Sequence, residues 1–179
     1  MGELRDTQQA FADAFERHSD ELFRHCSMRI ADRERALELT QEAFARVWEY
    51  ECRGGVVREY RPFLFRTLRH LIIDEYRKGK TQSLEAMSES VEGDVEDLLP
   101  HDDTNTLESA MERFDAKQAL KKLNDLPDMY RETLTLRYVD SLSPGEIAEI
   151  LDVSENVVSV RIHRGLKKLR ELLEQPQFI

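Results

Sequence analysis

Turn-forming residues are scarce in this chain: 7 Gly and 5 Pro stand among 179 residues. So few breakers, beside many Leu, Ala, Glu and Arg, favour an all-helical protein. Cysteine is nearly absent too. Cys26 and Cys52 are the only two, with no C-x-x-C and no His-x-His nearby, so a zinc site is not expected. His25 lies beside Cys26, but adjacent side chains on a helix diverge and two ligands do not close a site. Both cysteines read as packing or surface residues. The longest apolar runs are a few residues, far short of the roughly 20 that span a bilayer. The N-terminal stretch MGELRDTQQAF has no signal-peptide core, so a cytoplasmic protein with no membrane partner is expected. There is no Gly-rich phosphate loop, no H-E-x-x-H, and no Ser or Cys nucleophile with partners in place. The expectation is therefore no enzyme, no cofactor, no metal and no small-molecule substrate.

Positive charge is also short overall, and the formal net charge is −10. The excess is concentrated in one place. Residues 81–112 hold ten acids, Glu85 to Glu112, and no Lys or Arg, so this window accounts for the whole imbalance. It is rich in Ser, Thr and Asp, carries Gly93 and Pro100, and lacks an apolar stripe. It reads as a linker, either a solvated tether or a strap that imitates nucleic acid in a basic channel of a partner.

Three helical patterns precede the linker. The first runs from about Thr7 to Met28 and the second from about Arg33 to Tyr50. In the second, Ala36, Thr40, Ala43, Val47 and Tyr50 form an apolar stripe, widened by Leu37, Phe44 and Trp48. Opposite lie Glu34, Glu38, Gln41, Glu42 and Glu49, a face fit for solvent or for a basic protein surface. Gly54-Gly55 must break the helix, and Pro62 suits the first turn of the next. That third helix, about Arg61 to Lys78, buries Leu64, Leu68 and Leu71. Arg66, Arg69, His70 and Arg77 cluster within about 100° on its far side. Tyr60, Phe63 and Phe65 stand at its start, so the face fits either a nucleic-acid surface, where aromatics stack on unpaired bases and cations neutralise phosphate, or an exposed basic face with no ligand.

After the linker, Asp115–Leu123 and Pro127–Val139 read as helices. Ser143-Pro144 opens another, with Glu146 placed for a capping box. Asp152 sits where a helix-turn-helix needs a residue tolerant of positive φ, and Ser154 caps the last helix. There Val158, Ile162, Gly165, Leu166, Leu169 and Leu172 face inward. Asn156, Val160, His163 and Lys167 point out, and Arg161, Arg164 and Lys168 line one flank. Outward residues for base edges beside a basic flank for phosphates is the layout of a recognition helix. An exposed Val160 would suit a thymine methyl.

In this order the blocks RALELTQEAFARVWEY, FLFRTLRHLIIDEYRK and LNDLPDMYRETLTLRYVDSLSPGEIAEILDVSENVVSVRIHRGLKKLRE resemble the small two-domain bacterial sigma factors of the extracytoplasmic-function group. The resemblance spans about Gln8 to Leu173. It implies an all-α protein of two small helical domains: a three- to four-helix domain at 7–80, an acidic linker at 81–113, and a four-helix domain with helix-turn-helix at 114–175. It implies that Glu38, Gln41 and Glu42 bind the β′ clamp of core RNA polymerase, and that the second domain meets the β flap. It also implies that the loop Glu51–Tyr60 with Arg66, Arg69, His70, Asp74 and Arg77 reads the −10 element of promoter DNA. Ser154, Asn156, Ser159, Val160, Arg161, His163, Arg164 and Lys168 would read the −35 element. An anti-sigma factor is a further partner the resemblance implies. His70 stands where many members carry Asn, and Asn156, Val157 and Ser159 replace the common Gly, Thr and Lys. The rival expectation is a stand-alone helix-turn-helix regulator. Such proteins dimerise on paired half-sites, and the sequence shows no second apolar stripe for a dimer.

Overall fold

The computed structural model describes residues 2–82 and 116–174. Among them are seven α-helices and one π-helical turn, so the all-α expectation holds. The chain divides into two compact units, one built on the first three helices and one on the last four. The expected linker lies outside the described residues except for its first two positions, which extend the third helix.

In the first unit α1 spans Gly2–Ser27, α2 Arg33–Cys52 and α3 Tyr60–Gln82. Asp32 caps α2, its carboxylate accepting from the backbone N–H of Glu34 (2.9 Å) and of Arg35 (3.2 Å). The far end closes as a Schellman motif: Gly55 N–H donates to Tyr50 C=O and Gly54 N–H to Glu51 C=O, both at 2.9 Å. Gly54 supplies the left-handed residue, φ +87°.

Leu22 and Cys26 of α1, Ala36, Leu39, Ala43 and Val47 of α2, and Leu64, Phe65 and Leu68 of α3 form a core that solvent barely reaches. Three departures from the sequence pattern stand out. Leu39, outside the expected stripe, is buried, whereas Leu37 and Tyr50, expected inside it, are exposed. Packing on two neighbours at once turns the buried arc of α2 toward 36, 39, 40, 43 and 47 and leaves position 37 outside. Phe65, expected at a nucleic-acid surface, is 0% exposed. Its ring lies edge-on to His25 of α1, 5.0 Å between centroids. The expectation gave α3 one narrow apolar line, but α3 packs against both other helices and buries a second.

Two ion pairs tie α3 to its neighbours. Arg61 pairs with Glu21 of α1 (2.9 Å), and Arg35 of α2 grips Glu75 with two nitrogens (2.8 and 2.6 Å). Both are partly solvated. Such pairs contribute about 0.2–1 kcal/mol each, against roughly 1.5–3 kcal/mol for each buried Leu. The core therefore holds the unit together, and the ion pairs add little to its stability.

In the second unit α4 spans Ala116–Leu123, α5 Asp128–Leu134, a π-helical turn Thr135–Val139, α6 Pro144–Leu151 and α7 Glu155–Glu174. One continuous helix was expected over 127–139. Instead, Thr133 and Thr135 hydroxyls donate back to the Met129 and Arg131 carbonyls (2.7 and 2.8 Å). Such back-bonding competes with the backbone ladder and bends helices. The ladder then widens to Asp140 N–H bonding Thr135 C=O, 3.1 Å. Leu126, Leu134 and Leu169 centre a core that α4, α5 and α7 share. Gly165 lets α5 approach α7 closely, since a Cβ there would fall 3.2 Å from the Leu134 side chain.

Candidate nucleic-acid interfaces

The two helices of the second unit that form the helix-turn-helix are set by local chemistry. Ser143 Oγ accepts from Glu146 N–H (3.2 Å), and Glu146 Oε2 accepts from Ser143 N–H (2.7 Å), completing the capping box. Asp152 adopts φ 56°, ψ 48°, the left-handed conformation expected of the turn. Val153 N–H bonds Ala148 C=O (3.1 Å), and Ser154 Oγ accepts from Val157 N–H (3.3 Å) to start α7. Val158, Gly165 and Leu169 face in. Ser154, Asn156, Ser159, His163, Arg164, Lys167 and Lys168 face solvent, so most of the expected −35 set lies on the open side.

Two of that set differ from expectation. Val160 is half-buried, which leaves only part of its side chain for a thymine methyl. Arg161 is half-buried as well, and its Nε is enclosed with no hydrogen-bond partner. Periodicity placed Arg161 on the same flank as Arg164. It stands one residue from the inward Ile162, so its stem packs before its head reaches solvent.

On α3, Arg66, His70, Asp74 and Arg77 are exposed and Arg69 is half-buried, all along the expected side. Asp74 and Arg77 approach at 3.8 Å. The aromatic residues at its start are engaged. Phe63 packs on Tyr50 (5.2 Å between centroids), and Tyr60 faces Phe11 (6.3 Å) and donates its hydroxyl to Glu51 (2.7 Å). Burial and the nearby Glu51 carboxylate push the Tyr60 hydroxyl well above its ordinary range. Tyr76, which the sequence reading did not single out, is half exposed with its hydroxyl on the Arg29 carbonyl.

On α2, Glu38 and Gln41 are exposed and Glu42 is half-buried. Glu38 pairs with Arg35 (2.8 Å) and Glu42 with Arg46 (2.6 Å), both in solvent-exposed pairs along the helix. Exposed Leu37 and Ala45 lie in the same arc, giving the acidic face an apolar margin. A cleft of about 280 Å³ between α2 and α3 brings Glu42 and Arg46 opposite Asp74, Glu75 and Arg77. α2 and α3 thus meet along a seam of mixed charge, which includes Glu42 from the acidic set and Asp74 and Arg77 from the α3 set. Arg35 holds the Glu75 carboxyl below its ordinary range there.

Cys26 is buried and Cys52 exposed, both free, and burial pushes the Cys26 thiol up to about 11, so it stays protonated. Among the described residues no group of three or more His, Cys, Asp or Glu is placed to hold a metal, and no helix is long and apolar enough to cross a membrane.

Comparisons with known proteins match both units. Family models of sigma-70 region 2 and sigma-70 region 4 match residues 14–82 and 116–169. The ECF RNA polymerase sigma factor SigW of Bacillus subtilis is 32% identical over 177 residues, covering 93% of this chain and 90% of that protein. The ECF sigma factor SigL of Mycobacterium tuberculosis is 27% identical over 162 residues, covering 90% and 87%. Two solved structures share the fold. The sigma factor RpoE, in complex with the anti-sigma factor NepR from Bartonella quintana, superposes with a TM-score of 0.60 at 18% identity, covering 97% of this chain and 99% of that one. CnrH, in complex with the cytosolic domain of CnrY, gives 0.62 at 21%, covering 93% and 89%.

Proposed function

The chain belongs to the extracytoplasmic-function RNA polymerase sigma factors, and on that premise we propose how its residues divide the work of promoter recognition and initiation. Sigma factors are not enzymes. This one acts by placing a polymerase on DNA, in the cytoplasm. The family matches fall on both units, which gives the stand-alone regulator no support.

Glu38, Gln41 and Glu42 on α2 bind the β′ clamp of core polymerase, and the second unit binds the β flap. The stretch Glu51–Tyr60, whose non-helical part is the 53–59 loop, reads the opened −10 strand together with Arg66, Arg69, His70, Asp74 and Arg77 of α3. Ser154, Asn156, Ser159, Val160, Arg161, His163, Arg164 and Lys168 read the −35 duplex. Within the second set Arg164 and Lys168 serve phosphates and fix the register, whereas Asn156 and Val160 meet base edges. The functional domains are 7–80 and 114–175, joined by the acidic segment 81–113. Relatives of this fold are held by anti-sigma proteins, and we propose such a partner here.

The single observation that carries this reading is the seam between α2 and α3. Acids poised for a protein and cations poised for DNA share one rigid three-helix unit, so binding polymerase sets the DNA face in place. Net charge adds to the logic. At −10 the free protein is repelled by a polyanion, and affinity appears only when polymerase supplies the remaining contacts.

A titration of labelled protein with core polymerase tests the assignment. Glu42→Lys replaces the half-exposed Glu42–Arg46 pair by a like-charge pair and is expected to shift stability by no more than about 1 kcal/mol. It should weaken core binding about tenfold or more, since it puts a like charge against a surface that receives acids. Unchanged affinity would remove α2 from the polymerase contact.

A further inference from the structure

The two glycines between α2 and α3 do different jobs. Gly54 is needed for its conformation, φ +87°, and a Cβ there would meet nothing within 4 Å. Gly55 is needed for its lack of a side chain. A Cβ at that position would fall 2.4 Å from Cε1 of Tyr50 and 2.5 Å from its Cδ1 and Cζ. The Gly55 backbone therefore rests directly on the Tyr50 ring. Phe63 of α3 packs against the same ring, 5.2 Å between centroids at a 33° tilt. The ends of the loop are tied as well. Gly55 N–H bonds Tyr50 C=O, and the Tyr60 hydroxyl bonds Glu51, whose second carboxylate oxygen is enclosed with no partner. Beyond this support the tip stands open, with Val56 77% exposed and Arg58 and Glu59 in solvent.

We infer that Gly55 and Tyr50 are positioning residues for base specificity: the Tyr50–Phe63 stack is a ledge whose height sets which unpaired base of the opened DNA strand the 53–59 loop accepts. The inference rests on the assignment of that loop to the −10 strand made above. The Tyr50 ring meets Gly55 and Phe63 while 44% of the residue stays exposed, and the covered part of the ring fixes where the tip sits. Selective contact with one base needs recognition groups held within about 0.5 Å. Adding a methyl at Gly55 forces ring and loop apart by about 1 Å, from 2.4 Å out to ordinary contact at 3.4 Å. That is enough to change what the tip accepts while both helices stay in place.

The test uses holoenzyme reconstituted from core RNA polymerase and the full chain. It selects from bubble-containing promoter DNA randomised across the −10 single strand, and base frequencies are read by sequencing. Five proteins are compared: wild type, Gly55→Ala, Tyr50→Ala, Tyr50→Phe, and a chain whose 53–59 loop is replaced by Gly and Ser at equal length. The loop replacement, Gly55→Ala and Tyr50→Ala should each lower discrimination at the same −10 position by about fivefold or more, near the low end of what one base contact is worth. Preferences at −35 and affinity for core should be retained. Tyr50→Phe should keep wild-type discrimination, because the ring and not its hydroxyl makes the ledge. Uniform weakening on all sequences by Gly55→Ala and Tyr50→Ala would mean a structural role only and would overturn the inference. Altered preference from the loop replacement with none from Gly55→Ala would refute the ledge alone. No change from the loop replacement would refute the assignment of the loop, and the ledge with it.

Discussion

Two helix junctions in this chain solve opposite problems. Between α2 and α3 the chain turns through Gly54 at φ +87° and then presents a loop whose tip is open. Between α6 and α7 it turns through Asp152 at φ 56° and presents no loop, because α7 begins almost at once. In the first, on the reading proposed above, the connection itself is the recognition surface, and two glycines seat it. In the second the connection only aims a helix, and a residue that tolerates the left-handed region suffices. A non-glycine at positive φ thus marks a turn whose side chains are not wanted elsewhere. A glycine with no room for a Cβ marks a close approach, of loop to ring at Gly55 and of helix to helix at Gly165.

The comparison breaks most visibly under a β-branched residue at the first junction. Gly54→Val should destabilise the first unit by about 2 kcal/mol, the cost of forcing such a residue into φ > 0. Asp152→Gly should leave the second unit within about 0.5 kcal/mol of wild type, as left-handed strain is exchanged for chain entropy. Hydrogen exchange resolved by unit is the measurement, since a chain of two units has no single unfolding free energy. Comparable losses in both would mean that the junctions are equivalent.

The second test sharpens the role of the aimed helix. Arg164→Ala should cost about one phosphate contact, lowering the salt slope of −35 binding by holoenzyme by about one and weakening all sequences alike. Asn156→Ala should instead change base preference at one position. Sequence-blind losses from both would show that α7 supplies charge and no readout.

Ser143→Ala removes the cap that starts α6 and should cost the second unit about 1 kcal/mol, seen as faster exchange in α6. The first unit should not respond.

The smallest effect lies at the seam. Arg35 depresses the Glu75 carboxyl, so the pair contributes stability above the ordinary carboxylate value of 4.5 and loses it as pH falls through the folded value. Glu75→Gln should therefore cost about 0.5 kcal/mol at neutral pH, a partly solvated pair. Variant and wild type should converge in acid. A constant difference at all pH values would assign the loss to packing.

How much of this was legible in the sequence depends on the kind of signal. Ser143, Glu146, Asp152 and Ser154 act within a few residues of themselves, and each does in the structure what its neighbours require. The helices are equally local, and α2 and α3 lie close to their expected ranges. Burial on a helix that touches two others is not local. One period cannot tell Leu37 from Leu39, or show that Phe65 belongs to the core. The π-helical turn left only a faint trace, the Thr133–Thr135 pair. Gly55 read as a breaker because the Tyr50 ring beneath it reaches that place only once α2 is folded. At the candidate sites most residues are exposed, as expected, whereas Val160, Arg161 and the α3 aromatics sit deeper than the periodicity implied.

The central claim is that two recognition surfaces on one acidic chain work only when polymerase holds them. Run-off transcription from fragmented genomic DNA measures it most directly, with purified core polymerase, the full chain, and each alone. The account predicts discrete starts from holoenzyme only, each preceded by two shared motifs at fixed spacing, and no sequence-specific shift of DNA by the free protein. Specific binding by the free protein, or the same starts from core alone, would contradict it.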